Sequence, residues 1–242
     1  AVDAGPFGAM RRWSLPKLRE IHLEISAWDT TGLVEDHESN QQWPMRDRFT
    51  NLLNGIISPL QILSIKCEDL PCFSEDDLLE CLIASPSLVE LHLHDLAAFA
   101  MTRRILGALT LSEDDDDELG PYIPNLQILK VDWIVGMFPD KAFARMVESR
   151  QGHPEHVIHA LSSTVSRLSS IDIRVLERER EDDEDFDPRE AEDMDWNEAP
   201  VQFNLNMIPK TIKVFRKYEA YGLRVSVRAE DELGRSVYLD LR

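Results

Sequence analysis

The chain has 242 residues, 43% of them hydrophobic and 29% charged, with a formal net charge of −19. That length and apolar content suffice for a substantial core, while the acidity argues against direct binding of DNA or RNA, whose phosphates demand Lys and Arg. No apolar run approaches the roughly 18 residues of a membrane span, and the opening AVDAGPFGAMRRW lacks the apolar stretch of a signal peptide.

In chain order, the first strand pattern is LPKLREIHLEI, with Leu18, Ile21 and Leu23 in the order L-x-x-L-x-L. WPMRDRFTNLLNGI follows as a helix: Pro44 suits a first turn, Met45, Phe49, Leu52 and Ile56 share a face, and Gly55 marks the end. SPLQILSIKC repeats the strand pattern through Leu60, Leu63 and Ile65, with Cys67 in phase as a small core residue. In FSEDDLLECLIASP, Ser74 and Asp77 make a variant capping box, and Leu78, Leu79, Leu82 and Ile83 form an apolar stripe. SPSLVELHLHDL is the third strand, through Leu88, Leu91 and Leu93.

RILGALTLS matches the strand template through Leu106, Leu109 and Leu111, but Met101, Ile105 and Leu109 also fit a helical face, and helix is the preferred reading. The acidic loop 112–120 comes next, with EDDDDE at 113–118. IPNLQILKVDW is the fourth strand, through Leu126, Leu129 and Val131. In PDKAFARMVESR, Asp140 can cap a helix that turns Phe143, Met146 and Val147 inward. Another helix is expected over 155–166, and VSRLSSIDIRV is the fifth strand, through Leu168, Ile171 and Ile173. A second acidic loop spans 177–199, a helix covers 207–221 with Gly222 as its stop, and YGLRVSVRA adds a sixth strand through Leu223, Val225 and Val227.

The first leucines of the first five copies are 42, 28, 38 and 42 residues apart. Only one spacing falls within the roughly 20–29 residues of a regular leucine-rich repeat, so the others carry longer helices or insertions. One such unit cannot bury its own apolar face, and stacking is what builds a core. The expected fold is therefore α/β: a single irregular leucine-rich-repeat solenoid over 1–242, with a parallel sheet on the concave side and helices on the convex side.

The acidity belongs to the two loops. Segment 113–118 carries −6 and segment 177–198 carries −10 of the total −19. Asp114, Asp116 and Glu118 have the odd spacing of a calcium loop, but Leu119 and Asn125 stand where such a loop needs Gly and Glu. Both segments are read as solvated, charged insertions. Deleting 177–198 should leave the thermal unfolding midpoint nearly unchanged; a large drop would place the segment inside the fold.

Little else suggests chemistry. His92 and His94 share one side of a strand, but the sequence supplies no third and fourth zinc ligand. His153, His156 and His159 are read as loop and helix surface. Cys67, Cys72 and Cys81 fit no metal knuckle or redox pair, and their sparse, odd number points to reduced thiols in an intracellular protein. Phosphate-binding, nucleophile-elbow and zincin motifs are absent from the sequence. No metal, cofactor or catalytic residue is expected.

What remains is the polar side of the strands. Its two columns are His22, Ser64, His92, Lys130, Asp172 and Ser226, and Glu24, Lys66, His94, Asp132, Arg174 and Arg228. These residues are expected to face solvent on the concave side and to hold another protein there.

The recurrent [SL]P-x-L-x-x-L-x-[LIV], helices such as DLLECLIASPSL, the phrase IPNLQILKVDW and the helix FARMVESR resemble the leucine-rich region of the large fungal F-box/LRR families over roughly residues 14–175. The resemblance implies the substrate-recognition region of an adaptor in an SCF-type ubiquitin ligase, in which an F-box binds Skp1 and the repeats select the target. Residues 1–14 are too few for an F-box, so Skp1 is an expected partner only if an F-box lies upstream. The other expectation is a leucine-rich-repeat scaffold or inhibitor unrelated to ubiquitination. Neither membrane nor nucleic acid is an expected partner.

Overall fold

A computed structural model describes residues 18–25, 46–55, 59–67, 73–94, 102–111, 122–134, 138–151, 166–176, 208–230 and 236–238. Six strands, β1 (Glu20–Ile25), β2 (Ile62–Cys67), β3 (Glu90–His94), β4 (Ile128–Ile134), β5 (Ser170–Leu176) and β6 (Arg224–Glu230), pair in parallel in chain order. A short β7 (Ser236–Tyr238), which carries no L-x-x-L-x-L pattern, adds antiparallel to β6.

The L-x-x-L-x-L copies meet one another in register. Ile21, Leu63, Leu91, Leu129, Ile171 and Val225 form one row across the sheet. Leu23, Ile65, Leu93, Val131, Ile173 and Val227 form the next. A one-residue slip would turn each leucine to the opposite face, so the apolar alternation itself fixes the register. From β2 to β5 both rows are buried, together with Leu60, Leu88, Leu126 and Leu168 ahead of the strands. Each such burial stabilises by about 1.5–3 kcal/mol relative to exposure. Ile21 and Leu23 are only half-buried, because β1 is the end strand of the sheet.

Backbone bonds repeat at the start of each strand. The carbonyl of Arg19 accepts from the amides of Gln61 (2.8 Å) and Ile62 (3.0 Å). Gln61 does the same for Val89 and Glu90, Val89 for Gln127 and Ile128, and Gln127 for Ser169 and Ser170. Unequal spacing between copies is thus taken up outside the sheet.

Helices α1 (Arg46–Gly55), α2 (Glu75–Ile83), α3 (Arg103–Leu109), α4 (Asp140–Gln151) and α5 (Pro209–Glu219) alternate with the strands, and each contacts the next. Their apolar residues join the strand leucines in one core cluster. RILGALTLS is helical over α3, as its helical face suggested. In α1, Phe49 is buried as expected, while Leu53 is buried and Leu52 only half-buried, so Leu53 takes the inward place expected of Leu52. In α2, Ile83 is 54% exposed while Cys81 is fully buried. The apolar stripe is Leu78, Cys81 and Leu82 with Leu79 at its margin, and Ile83 lies one helical step of about 100° beyond it.

Helix starts explain the local folding. Ser74 and Asp77 form the expected capping box on α2. Thr102 caps α3 through the Ile105 amide at 3.2 Å. For α5 the N-cap position is Ile208, which has no side chain able to cap. Asp140, expected to cap its own helix, is instead the first residue of α4 and caps its neighbour. Its carboxylate accepts from the Thr211 amide at 2.7 Å and the Lys210 amide at 3.1 Å, and the Thr211 hydroxyl donates to its carbonyl at 3.1 Å. D140A should therefore lower unfolding free energy by about 1–2 kcal/mol in a urea titration. D140N, which keeps one acceptor, should recover part of that loss; an unchanged D140A would show that water caps α5 as well. At the other end of α5, Gly222 adopts φ 95°, the left-handed conformation that ends a helix readily when no Cβ is present.

Arg150 ties the end of α3 to the residues ahead of β4. Its side chain is fully buried, Nε donates to the Leu109 carbonyl at 2.5 Å and Nη2 to the Ile123 carbonyl at 3.1 Å. The Tyr122 amide reaches the Ala108 carbonyl at 3.3 Å, and the Leu111 amide reaches Ser149 Oγ at 3.1 Å. Both ends of 112–121 are therefore fixed. The acidic segments 113–118 and 177–198, the helix expected at 155–166, the histidines at 153, 156 and 159, and Cys72 lie outside the described residues. No helix among the described residues is long and apolar enough to cross a membrane.

Candidate partner-binding face

Side chains alternate across a strand, so the residues between the core leucines stand on the face away from the helices. Register brings the two polar columns into rows. His22, Ser64, His92, Lys130, Asp172 and Ser226 lie side by side. Glu24, Lys66 and His94 form the left half of the next row, and Asp132, Arg174 and Arg228 the right half. All twelve residues expected at the site therefore share one face.

That face is less open than expected. His22 and Glu24 on the end strand are exposed, Ser64, Lys66, His92, His94, Lys130, Asp172, Arg174, Ser226 and Arg228 are half-buried, and Asp132 is only 2% exposed. The expectation that every column residue faces solvent fails at Asp132. The reason is local: Arg174 lies over its carboxylate, with Nε 3.0 Å from Oδ1 and Nη2 on Oδ2, while His94 Nδ1 approaches from the other side at 3.3 Å. A carboxylate so removed from water needs charged donors around it.

Two further ion pairs cross between strands: Lys66 Nζ reaches Glu24 at 3.2 Å and Arg228 Nη2 reaches Asp172 at 3.2 Å. Within their own strands, the rings of His22 and His92 stand 2.6 Å and 3.3 Å from Glu20 and Glu90. Burial pushes the His92 imidazole below its ordinary value; Lys130 beside it acts in the same direction and Glu90 opposes both. His92 is therefore neutral at neutral pH.

The sequence reading missed the row ahead of these columns: Glu20, Ile62, Glu90, Ile128, Ser170 and Arg224, which are also in register. The same period of two that selected the columns places this row on the same face. Two isoleucines, both half-buried, give it an apolar component.

His92 and His94 lie with ring centroids 6.2 Å apart, and among the described residues no three potential ligands gather in a way that could hold a metal ion. Cys67 and Cys81 are buried as free thiols, where cysteine packs as a small hydrophobe. No protein-family model, curated protein or solved structure matches the chain.

Proposed function

We propose that the chain is a non-catalytic protein-binding domain, an irregular leucine-rich-repeat arc whose polar sheet face holds another protein. Within that class we read it as the substrate-recognition region of an F-box-type adaptor of an SCF ubiquitin ligase, acting inside the cell. The observation that carries the reading is the register of five L-x-x-L-x-L copies and a sixth strand that keeps their apolar alternation. It merges short, unlike polar segments into one continuous face crossed by ion pairs. Rigid, preorganised surfaces of this kind lose little freedom on binding. The F-box assignment rests on the sequence resemblance alone.

Affinity purification with mass spectrometry tests the binding role, with K130E and R174E beside the wild type. K130E is the clean probe, because Lys130 has no ion-pair partner among the described residues. R174E also strips Asp132 of its guanidinium. Proteins recovered by the wild type and lost from K130E are expected; undiminished recovery by both variants would remove the sheet face from the function. For the ligase role, an F-box encoded upstream of Ala1 and co-purification of Skp1 are expected, and a start codon immediately before Ala1 would exclude it.

A further inference from the structure

Charge on the sheet face is divided between its halves. Among the described side chains, β1 to β3 carry Glu20, Glu24 and Glu90 against Lys66, while β4 to β6 carry Lys130, Arg174, Arg224 and Arg228 against Asp132 and Asp172. Three of the carboxylates are paired with a cation, Glu24 with Lys66, Asp132 with Arg174 and Asp172 with Arg228, while Glu20 and Glu90 stand beside the rings of His22 and His92. Two cations are left over. Neither Lys130 nor Arg224 has an ion-pair partner among the described residues.

Lys130 is the more constrained of the two. It is half-buried near the middle of the sheet, in register between His92 and Asp172. Neither neighbour forms an ion pair with it: burial holds His92 uncharged, and Oδ2 of Asp172 is taken by Arg228. Arg224 lies two strands away and one pleat earlier, since it pairs with Ser170 while Lys130 pairs with Asp172. Two strand spacings of about 4.8 Å and a two-residue offset place their Cα atoms about 12 Å apart, a distance that three to four extended residues span. Ile128, half-buried, precedes Lys130 on the same face.

We propose that the partner lays an acidic peptide segment across β4 to β6, with one carboxylate on Lys130, another three or four residues away on Arg224, and an apolar side chain on Ile128. This rests on the reading of the sheet face as a protein-binding surface. A long polyanion fits poorly: the two cations left over among the described residues of this face, on a chain of net charge −19, cannot replace the counterions of a nucleic acid, whose affinity grows with each phosphate neutralised. A short acidic segment needs only the local field within a Debye length of about 8–10 Å.

A phage library of random dodecapeptides panned against the full chain, with K130E and R224E panned in parallel, tests this. The wild type should enrich peptides with two Asp or Glu residues three or four apart and a neighbouring apolar residue. A synthetic consensus peptide should bind about tenfold more weakly to either variant, weaken as salt rises, and regain affinity for K130E when its matching acid is changed to Lys. Selected peptides that lack acids yet lose binding on K130E would overturn the acidic partner and leave the sheet-face reading standing. Peptides indifferent to both variants, or no enrichment at all, would overturn the two together.

Discussion

Replacing Arg150 with Ala should destabilise the fold by about 3–5 kcal/mol, the range for emptying a large buried site and stranding its polar partners. The guanidinium is fully buried and meets two main-chain carbonyls, those of Leu109 and Ile123, with no carboxylate beside it among the described residues. Burial pushes its pKa down from the ordinary arginine value to about 10. The group therefore stays protonated at neutral pH, as a charge held only by dipoles. Above about pH 10, up to the ordinary arginine value, the unfolded chain keeps a proton that the folded chain has lost. By linkage the Arg150 contribution to stability rises with pH across that window and is flat below it. R150M separates the parts of the penalty. It keeps most of the stem volume and removes the charge, leaving two carbonyls without their donors, and should cost about 1–3 kcal/mol. Urea titrations of both variants decide it. An R150A protein within about 1 kcal/mol of the wild type would show that water reaches those carbonyls.

The Asp132–Arg174 pair should respond unequally to losing either member. Arg174 is 25% exposed and Asp132 2%. In D132A the guanidinium can turn to solvent, and the expected loss is about 1–2 kcal/mol. In R174A the carboxylate remains in place with His94 and little water, and the expected loss is about 2–4 kcal/mol. Equal losses, or D132A the worse of the two, would mean that the aspartate is better hydrated than its burial implies.

The strands were legible because their alternation has a period of two and recurs with the same lead-in, so Leu63, Leu91, Leu129 and Ile171 could be aligned before any pairing was known. Capping by Ser74 was legible because its partner Asp77 is three residues away. Asp140 was misassigned because its partners lie 70 and 71 residues along the chain. Local motifs report local bonds, and a cap borrowed from a neighbouring helix looks the same in sequence as one made at home. Arg150 was hidden for a similar reason: at the end of FARMVESR it reads as a solvated last-turn cation, and only packing against α3 shows otherwise. At the candidate face, sequence placed all twelve residues on one side. It could not tell that Asp132 is enclosed while Lys130 has no ion-pair partner among the described residues, since that depends on which long side chain reaches across which strand.

The backbone ladder at the strand starts, together with the Arg150 clamp, bears on how such a chain can change through descent. Each strand is positioned by bonds to the strand before it, and the segment between α3 and β4 is held at both ends. Lengthening a loop already closed adds only about 0.6 kcal/mol of entropy per doubling. Insertions at 112–121 can therefore accumulate without moving any residue of the opposite face, and that face can vary residue by residue without disturbing the loops. Two kinds of heritable variation, in length and in side-chain chemistry, act on separate parts of one scaffold.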